Sequence, residues 1–234
     1  MRKSNSTPTT GNLSPDLVES QTDDAGLVQR RRGQIVQAAV KLFSAQGFYK
    51  TTVQQIAAEA QISNGLIYHY ARTKEDILLL ALVSVLEGYK QELPPAIEQH
   101  EDPMDRLLAG VRAYCDVVDR SREATVLAYR STKSLPDTQR AHIKQLEVET
   151  NRLIEECVQA CIDAGYFRSV DVPLTVYHFV NFAHAWALKH WRLAALTTKE
   201  NYIREGFDFF LRALVTPKGW RRYQKLSQAT AVAL

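Results

Sequence analysis

Cysteine is scarce in this chain, with three residues (Cys115, Cys157 and Cys161) among 234. An odd count, without a secretory leader, argues against a disulfide framework. The first residues, MRKSNSTPTTGNLSPD, hold an Arg-Lys pair but no apolar stretch behind it, so they do not read as a signal peptide. No run approaches the roughly 18 apolar residues that a membrane helix needs, and the expected location is the cytoplasm. Alternating apolar and polar residues, the mark of a half-buried strand, are missing over any useful length. Missing too are G-x-S-x-G, H-E-x-x-H, a Gly-rich phosphate loop and a C-x-x-C pair. No catalytic residue, cofactor or metal is expected. An enzyme would need a helical site assembled from scattered residues, and a basic segment described below would go unexplained.

What is present is helical periodicity on an ordinary globular composition, 45% hydrophobic and 24% charged. Residues 1–29, rich in Ser, Thr, Asn, Asp and Pro, read as a disordered tail. After the QRRRGQ run, Ile35, Ala38, Ala39, Leu42 and Phe43 form one apolar stripe, with Gly47 placed for a left-handed C-cap. Thr52 and Gln55 have the spacing of a capping box at the start of a short helix. Ser63 can cap the next one, and Thr73 with Asp76 a fourth through Ile77, Leu78, Ala81 and Val85. Two short helices joined by a tight turn make a helix-turn-helix. Beyond Pro94-Pro95 come a stripe of Leu107, Val111, Tyr114 and Val118, and a shorter helix over 123–133. A long helix follows from Pro136 to about Ala164, closed by Gly165. Then come an apolar helix after Pro173 and a last one after Thr197/Glu200. The fold class is all-α, about nine helices in all. It divides into a three-helix helix-turn-helix domain (30–76), a larger helical domain (77–220) and a C-terminal tail (221–234).

The net charge of +3 hides an uneven distribution. Residues 30–75 hold seven basic groups against Glu59 and Glu75, whereas the remainder of the chain beyond them is balanced. A basic module on a neutral body suggests a polyanion as partner. The segment QISNGLIYHYARTKED supplies the reading surface, since a helix whose first turn carries Asn64, Gly65, Tyr68 and His69 suits the major groove of DNA. Backbone amides, the Thr51 and Thr52 hydroxyls and Lys74 offer phosphate contacts. Tyr70, seven residues past Ser63, reads instead as an inward residue joining the module to the next helix.

Residues 34–82 resemble the N-terminal domain of TetR/AcrR-type transcriptional regulators, through AAVKLFSAQGF, TTVQQIAAEA and S-x-G-x-x-Y-H-Y-x-x-x-K-E. The resemblance implies a homodimer, double-stranded operator DNA as partner, and a helical C-terminal domain with a small-molecule pocket. Position by position, it implies DNA contacts from Arg31, Arg32, Thr52, Gln54, Asn64, Gly65, Leu66, Tyr68, His69 and Lys74. Three positions depart from the family pattern. Gln61 stands where the turn usually has Gly, Ala71 replaces a common Phe, and Leu66 replaces a small or polar residue.

For the effector, Tyr177, Asn181, His184, Leu188 and Trp191 fall near one line of a helix starting at about Leu174. Phe179, Phe182 and Trp186 lie opposite, and which face meets a ligand and which a dimer partner stays open. Asn181 and His184 serve equally well as hydrogen-bonded core polars. The stretch from Arg122 to Thr150 is similar to regulators of fatty-acid, steroid and acyl-CoA catabolism, which implies an acyl-CoA as effector class, with Arg130, Lys133, Arg140 and Lys144 able to offer it charge; Tyr129 and Arg130 join the candidate ligand contacts. The expectation is a ligand-responsive repressor. Its alternative is a redox- or metal-responsive regulator using Cys157 and Cys161, four residues apart on one helix face, although two small buried residues are the plainer reading of that pair.

Overall fold

A computed structural model describes Val18 and residues 24–232, with side chains described to residue 226. The tail expected over 1–29 otherwise lies outside the described residues. Eleven α-helices occur among them: α1 (Ala25–Gln46), α2 (Val53–Glu59), α3 (Asn64–Ile67), α4 (Lys74–Glu98), α5 (Pro103–Arg120), α6 (Arg122–Ser131), α7 (Asp137–Asp163), α8 (Val172–Leu188), α9 (His190–Leu196), α10 (Lys199–Leu214) and α11 (Pro217–Val232). A 3-10 turn, Thr132–Ser134, follows α6, and the single β-type contact among the described residues is an isolated bridge between Phe167 and Val215.

Two breaks from expectation raise the count from nine to eleven, and a third lengthens the first helix into the expected tail. Helix α1 opens five residues before the basic run, because the Asp24 side chain caps it by accepting from the Leu27 amide. The apolar helix after Pro173 breaks at Lys189 into α8 and α9, although neither Gly nor Pro stands there. Residues expected as a C-terminal tail form α11 instead. Its Arg222 pairs with Asp102 and Asp105 at the start of α5. In the other direction, α4 runs straight through Pro94 and Pro95, each lacking an amide donor. Leu93 and Ile97, both buried, hold that last turn against the core.

Local signals determine most boundaries. Thr52/Gln55 and Thr73/Asp76 form complete capping boxes, and the Ser63 hydroxyl accepts from the Leu66 amide. Helix α10 is capped by Thr198 rather than by the Thr197/Glu200 pair. Pro136 occupies the N-cap position of α7, one residue ahead of its first turn. Gln61 has φ 57°, the left-handed turn residue between α2 and α3, as a Gly would be. Gly47 also has a positive φ, but its ψ of 155° takes the chain out of the left-handed helical region.

Helices α1–α3 surround Ile35, Ala39, Phe43, Ile56, Ala57 and Ile67. Their apolar core continues through Tyr70 and Ala71 into α4, whose buried Ile77, Leu78 and Leu79 run on toward the larger helical body. There α5 packs between α4, α7 and α8, and α6 bridges α1 to α8. Phe182 stacks on Tyr202 at 4.5 Å, which joins α8 to α10. Gly206 permits that approach, because a Cβ there would collide with the Phe182 ring. Phe179 and Trp186 are likewise buried within the chain, so the outward face of α8 is the one carrying Leu174, Tyr177, His178 and Asn181.

Candidate nucleic-acid interface and effector site

The helix-turn-helix presents a short polar surface. Thr52 and Gln54 are exposed at the start of α2; Asn64 and Gly65 are exposed at the start of α3. Helix α3 is a single turn, so Tyr68 and His69 lie just past its end, with Tyr68 42% exposed and His69 exposed. Leu66 is half-buried and packs partly against the core. Tyr70 is only 3% exposed, the inward residue anticipated, and Ala71 beside it is buried. Thr51, unlike Thr52, is buried and donates its hydroxyl to the Gly47 carbonyl at 2.9 Å.

Two basic residues expected on DNA are used inside the protein. The Lys74 ammonium donates to the carbonyls of Phe48 (2.9 Å), Thr51 (3.0 Å) and Tyr49 (3.3 Å), and sits 4.5 Å over the Phe48 ring. An ammonium has three protons, and three carbonyls take them. Lys74 therefore clamps the α1–α2 turn. Arg32 is buried and donates to the carbonyls of Val18 and Tyr70. Burial holds its guanidinium below the usual range, partly offset by Asp76 and Glu87. Arg31 is half-buried, and among the described residues its side chain donates to Gln34 of its own helix at 3.0 Å.

In the larger body, four helices converge on one imidazole. His184 (α8) meets the hydroxyls of Tyr129 (α6) at 2.9 Å through Nδ1, and of Tyr89 (α4) and Tyr114 (α5), both at 3.4 Å, through Nε2. Tyr89 and Tyr114 stack with ring centroids 4.1 Å apart. Burial pushes the His184 pKa down to about 4 and raises the phenols, so the imidazole is neutral near pH 7. From α7, Glu147 faces the same phenols electrostatically, and burial alone lifts its carboxyl above the usual range. Asn151, one turn along α7, is 1% exposed. The Tyr177 hydroxyl lies close enough to feel its amide, but no hydrogen bond of good geometry joins them, and both amide atoms are buried without a partner.

Of the ligand residues expected from sequence, Tyr129 and His184 meet directly, and Tyr177 stands nearby beside Asn151. The others lie elsewhere. Asn181 is exposed on the outer face of α8, Trp191 is 77% exposed on α9, and Arg130 lines a separate groove against α1. Sequence reasoning missed Tyr89, Glu147 and Asn151, and took Tyr114 only as a member of an apolar stripe. A tyrosine among leucines was the available signal, since a buried hydroxyl needs a partner. The three thiols are buried and pushed up by it, Cys115 and Cys161 to about 12 and Cys157 to about 11. A thiol held protonated is a poor nucleophile and a poor ligand, which removes the support for a redox or metal switch. Among the described residues no cluster of His, Cys, Asp and Glu is arranged for a metal, and no helix is long and apolar enough to cross a membrane.

A capped helix-turn-helix with an exposed amide and aromatic surface, mounted on a helical body with an internal polar cluster, defines a one-component DNA-binding regulator. The chain belongs to the TetR family. Residues 35–81 match the family model of bacterial regulatory proteins of the tetR family, and residues 100–191 match the tetracyclin repressor-like C-terminal domain. It is 50% identical over 206 residues to the HTH-type transcriptional regulator HbdR of Aromatoleum sp. (strain CIB), covering 88% of this chain and 90% of that one. Among solved structures, a tetR-family regulatory protein from Rhodococcus RHA1 superposes with a TM-score of 0.71 at 21% identity, covering 78% of this chain and 96% of the other. AibR, in complex with isovaleryl coenzyme A and operator DNA, gives a TM-score of 0.64 at 21% identity, covering 79% and 98%. At such identities the two structures show the fold. The protein is a transcriptional regulator of the helix-turn-helix type.

Proposed function

We propose that the protein acts as a homodimer on a palindromic operator and leaves it when an acyl-type effector, an acyl-CoA being the leading class, occupies the His184 cluster. One observation carries the effector reading: phenols from three helices meet a neutral imidazole, and on α7, one turn past Glu147, a fully buried Asn151 has no partner of good geometry. Hydroxyl and amide donors around apolar helices match the carbonyl of an acyl group, and a buried amide gains most from being satisfied. That AibR holds isovaleryl coenzyme A agrees with this reading. The dimer would form through the outer face of α8, Leu174, Tyr177 and Asn181, together with α10, where Phe209 is 73% exposed. Residues 30–76 would then be the DNA-binding domain and 77–220 the effector and dimer domain, with α4 as their joint.

On DNA, Asn64 and Tyr68 would read base edges or a thymine methyl. His69, Gly65, Gln54, Thr52 and Arg31 would set the register on phosphates. The test is fluorescence anisotropy on the palindromic DNA upstream of the protein's own gene, at several salt concentrations, with and without acyl-CoA esters. Tyr68→Ala should weaken specific binding by at least about tenfold and leave the dimer intact in sedimentation. Unchanged affinity would remove Tyr68 from the interface. Specific binding that no acyl-CoA releases would leave the operator reading standing and sink the effector class.

A further inference from the structure

An open groove lies outside the His184 cluster, at the seam between the DNA-binding helices and the larger body. It encloses about 630 Å³ between the end of α1, the α1–α2 turn, α6 and the α8–α9 junction. That is a size typical of small-molecule sites. Its apolar wall consists of Phe43 and Phe48, 5.2 Å apart, facing Val126 and Leu127 of α6. Its polar groups are unusual. The Arg130 side chain is exposed and makes no ion pair or hydrogen bond among the described residues, and Arg122 shares its charge with Asp119. His190 places Nδ1 out of contact with solvent and without a partner, its ring set edge-on to Trp186 at 5.2 Å. Against these stands one carboxylate, Glu123, exposed at the rim. On α6, Tyr129 points to His184 from a position roughly 100° around the helix from Arg130, so the groove and the cluster lie on different sides of that helix.

We propose that this seam groove is a second ligand site, which takes an amphipathic monoanion. The acidic head, a carboxylate or a phosphate, sits between Arg130 and His190, and an apolar body of about eight carbons lies on Phe43, Phe48 and Val126. Charge complementarity selects the head: a guanidinium without a counter-ion forks onto a planar or tetrahedral anion, and the buried imidazole nitrogen gains its missing partner. Because one wall belongs to α1 and the other to α6, an occupant touches both units of the protein at once. The proposal does not depend on the identity of the effector in the His184 cluster.

The test uses the full-length chain and two probes of one length, octanoate and 1-octanol, followed by isothermal titration and saturation-transfer NMR. Octanoate should bind the parent more tightly than octanol. Arg130→Glu should weaken octanoate at least tenfold and leave octanol unaffected, whereas Val126→Trp, which fills the groove, should weaken both. His184→Leu, on the other side of α6, should retain the groove-dependent binding. The proposal is overturned if the parent does not bind octanoate, if both groove variants bind it as the parent does, or if His184→Leu removes the same binding. Should Val126→Trp fail to fold by circular dichroism, Arg130→Glu, at an exposed position, still decides.

Discussion

Acidification should destabilise this protein well before its carboxylates titrate, and His184 is the reason. In the unfolded chain its imidazole takes a proton near pH 6.5; in the folded protein burial delays that to about 4. Between these values the unfolded state binds a proton that the folded state refuses, so stability falls as pH falls. From pH 7 to pH 5 the two pKa values give a loss of about 2 kcal/mol from this one group. No carboxylate opposes it in contact, because its neighbours from α4, α5 and α6 are the phenols of Tyr89, Tyr114 and Tyr129. Glu147 on α7 is itself driven toward its neutral form by burial. The assay is urea unfolding at pH 7 and pH 5, followed by fluorescence, for the parent and for His184→Gln. The variant keeps a hydrogen-bonding side chain and loses the titration. Parent stability should drop by about 2 kcal/mol more than that of the variant. Equal losses in the two proteins would show that the imidazole titrates normally and that the cluster is wet.

Three other outcomes follow from the geometry. Lys74→Met removes the donor to three carbonyls and should cost about 2 kcal/mol in urea unfolding, while the salt dependence of operator binding stays as in the parent; a reduced salt slope would return Lys74 to the phosphates. Gln61→Gly relieves a left-handed residue and should raise stability by about 0.5–1 kcal/mol in scanning calorimetry; a lower melting temperature would mean that the glutamine side chain holds the turn. Native protein at pH 8 should react with Ellman's reagent only as fast as it unfolds, since all three thiols are buried; a fast thiol would reopen the Cys157/Cys161 switch.

The parts of the fold that a reader of the sequence finds are those fixed by local chemistry. A capping box needs two residues three apart, so Thr52/Gln55 and Thr73/Asp76 are visible without any tertiary knowledge. The inward Tyr70 was legible from its distance to Ser63, and the left-handed turn at Gln61 from the resemblance to a family that usually has Gly there. Arg32 and Lys74 were not. Their roles depend on where the carbonyls of Val18, Tyr70, Phe48, Tyr49 and Thr51 arrive after folding, and a basic residue near a DNA-reading helix looks the same whether it faces phosphate or protein. The His184 cluster joins residues 55 to 95 positions apart. Helical periodicity places Tyr114 on a buried stripe, but it cannot say that its hydroxyl shares a nitrogen with that of Tyr89.

Helix α6 is, beside α4, the element through which the two halves of the protein touch. Tyr129 ties one side of it to His184, and Val126 and Arg130 face α1 across the seam. Just beyond its end the Ser134 hydroxyl donates to Tyr49 of the α1–α2 turn at 3.0 Å, and Gln139 at the start of α7 donates to Asp76 at the start of α4 at 2.9 Å. Asp76 also accepts from the Thr73 amide, so the junction with the larger body and the N-cap of α4 share one carboxylate. A ligand that takes the Tyr129 hydroxyl from His184 must leave the imidazole another partner or lose a buried hydrogen bond. Such a ligand favours whichever position of α6 satisfies both groups. It shifts the equilibrium only by its difference in affinity between the two positions. The seam contacts carry that difference to the Tyr49 turn and to Asp76, whose carboxylate also accepts from the Arg72 amide in the link after α3. Removing Ser134 and Gln139 together should therefore leave DNA and effector each bound and uncouple one from the other, because neither side chain belongs to the DNA-reading surface or to the His184 cluster.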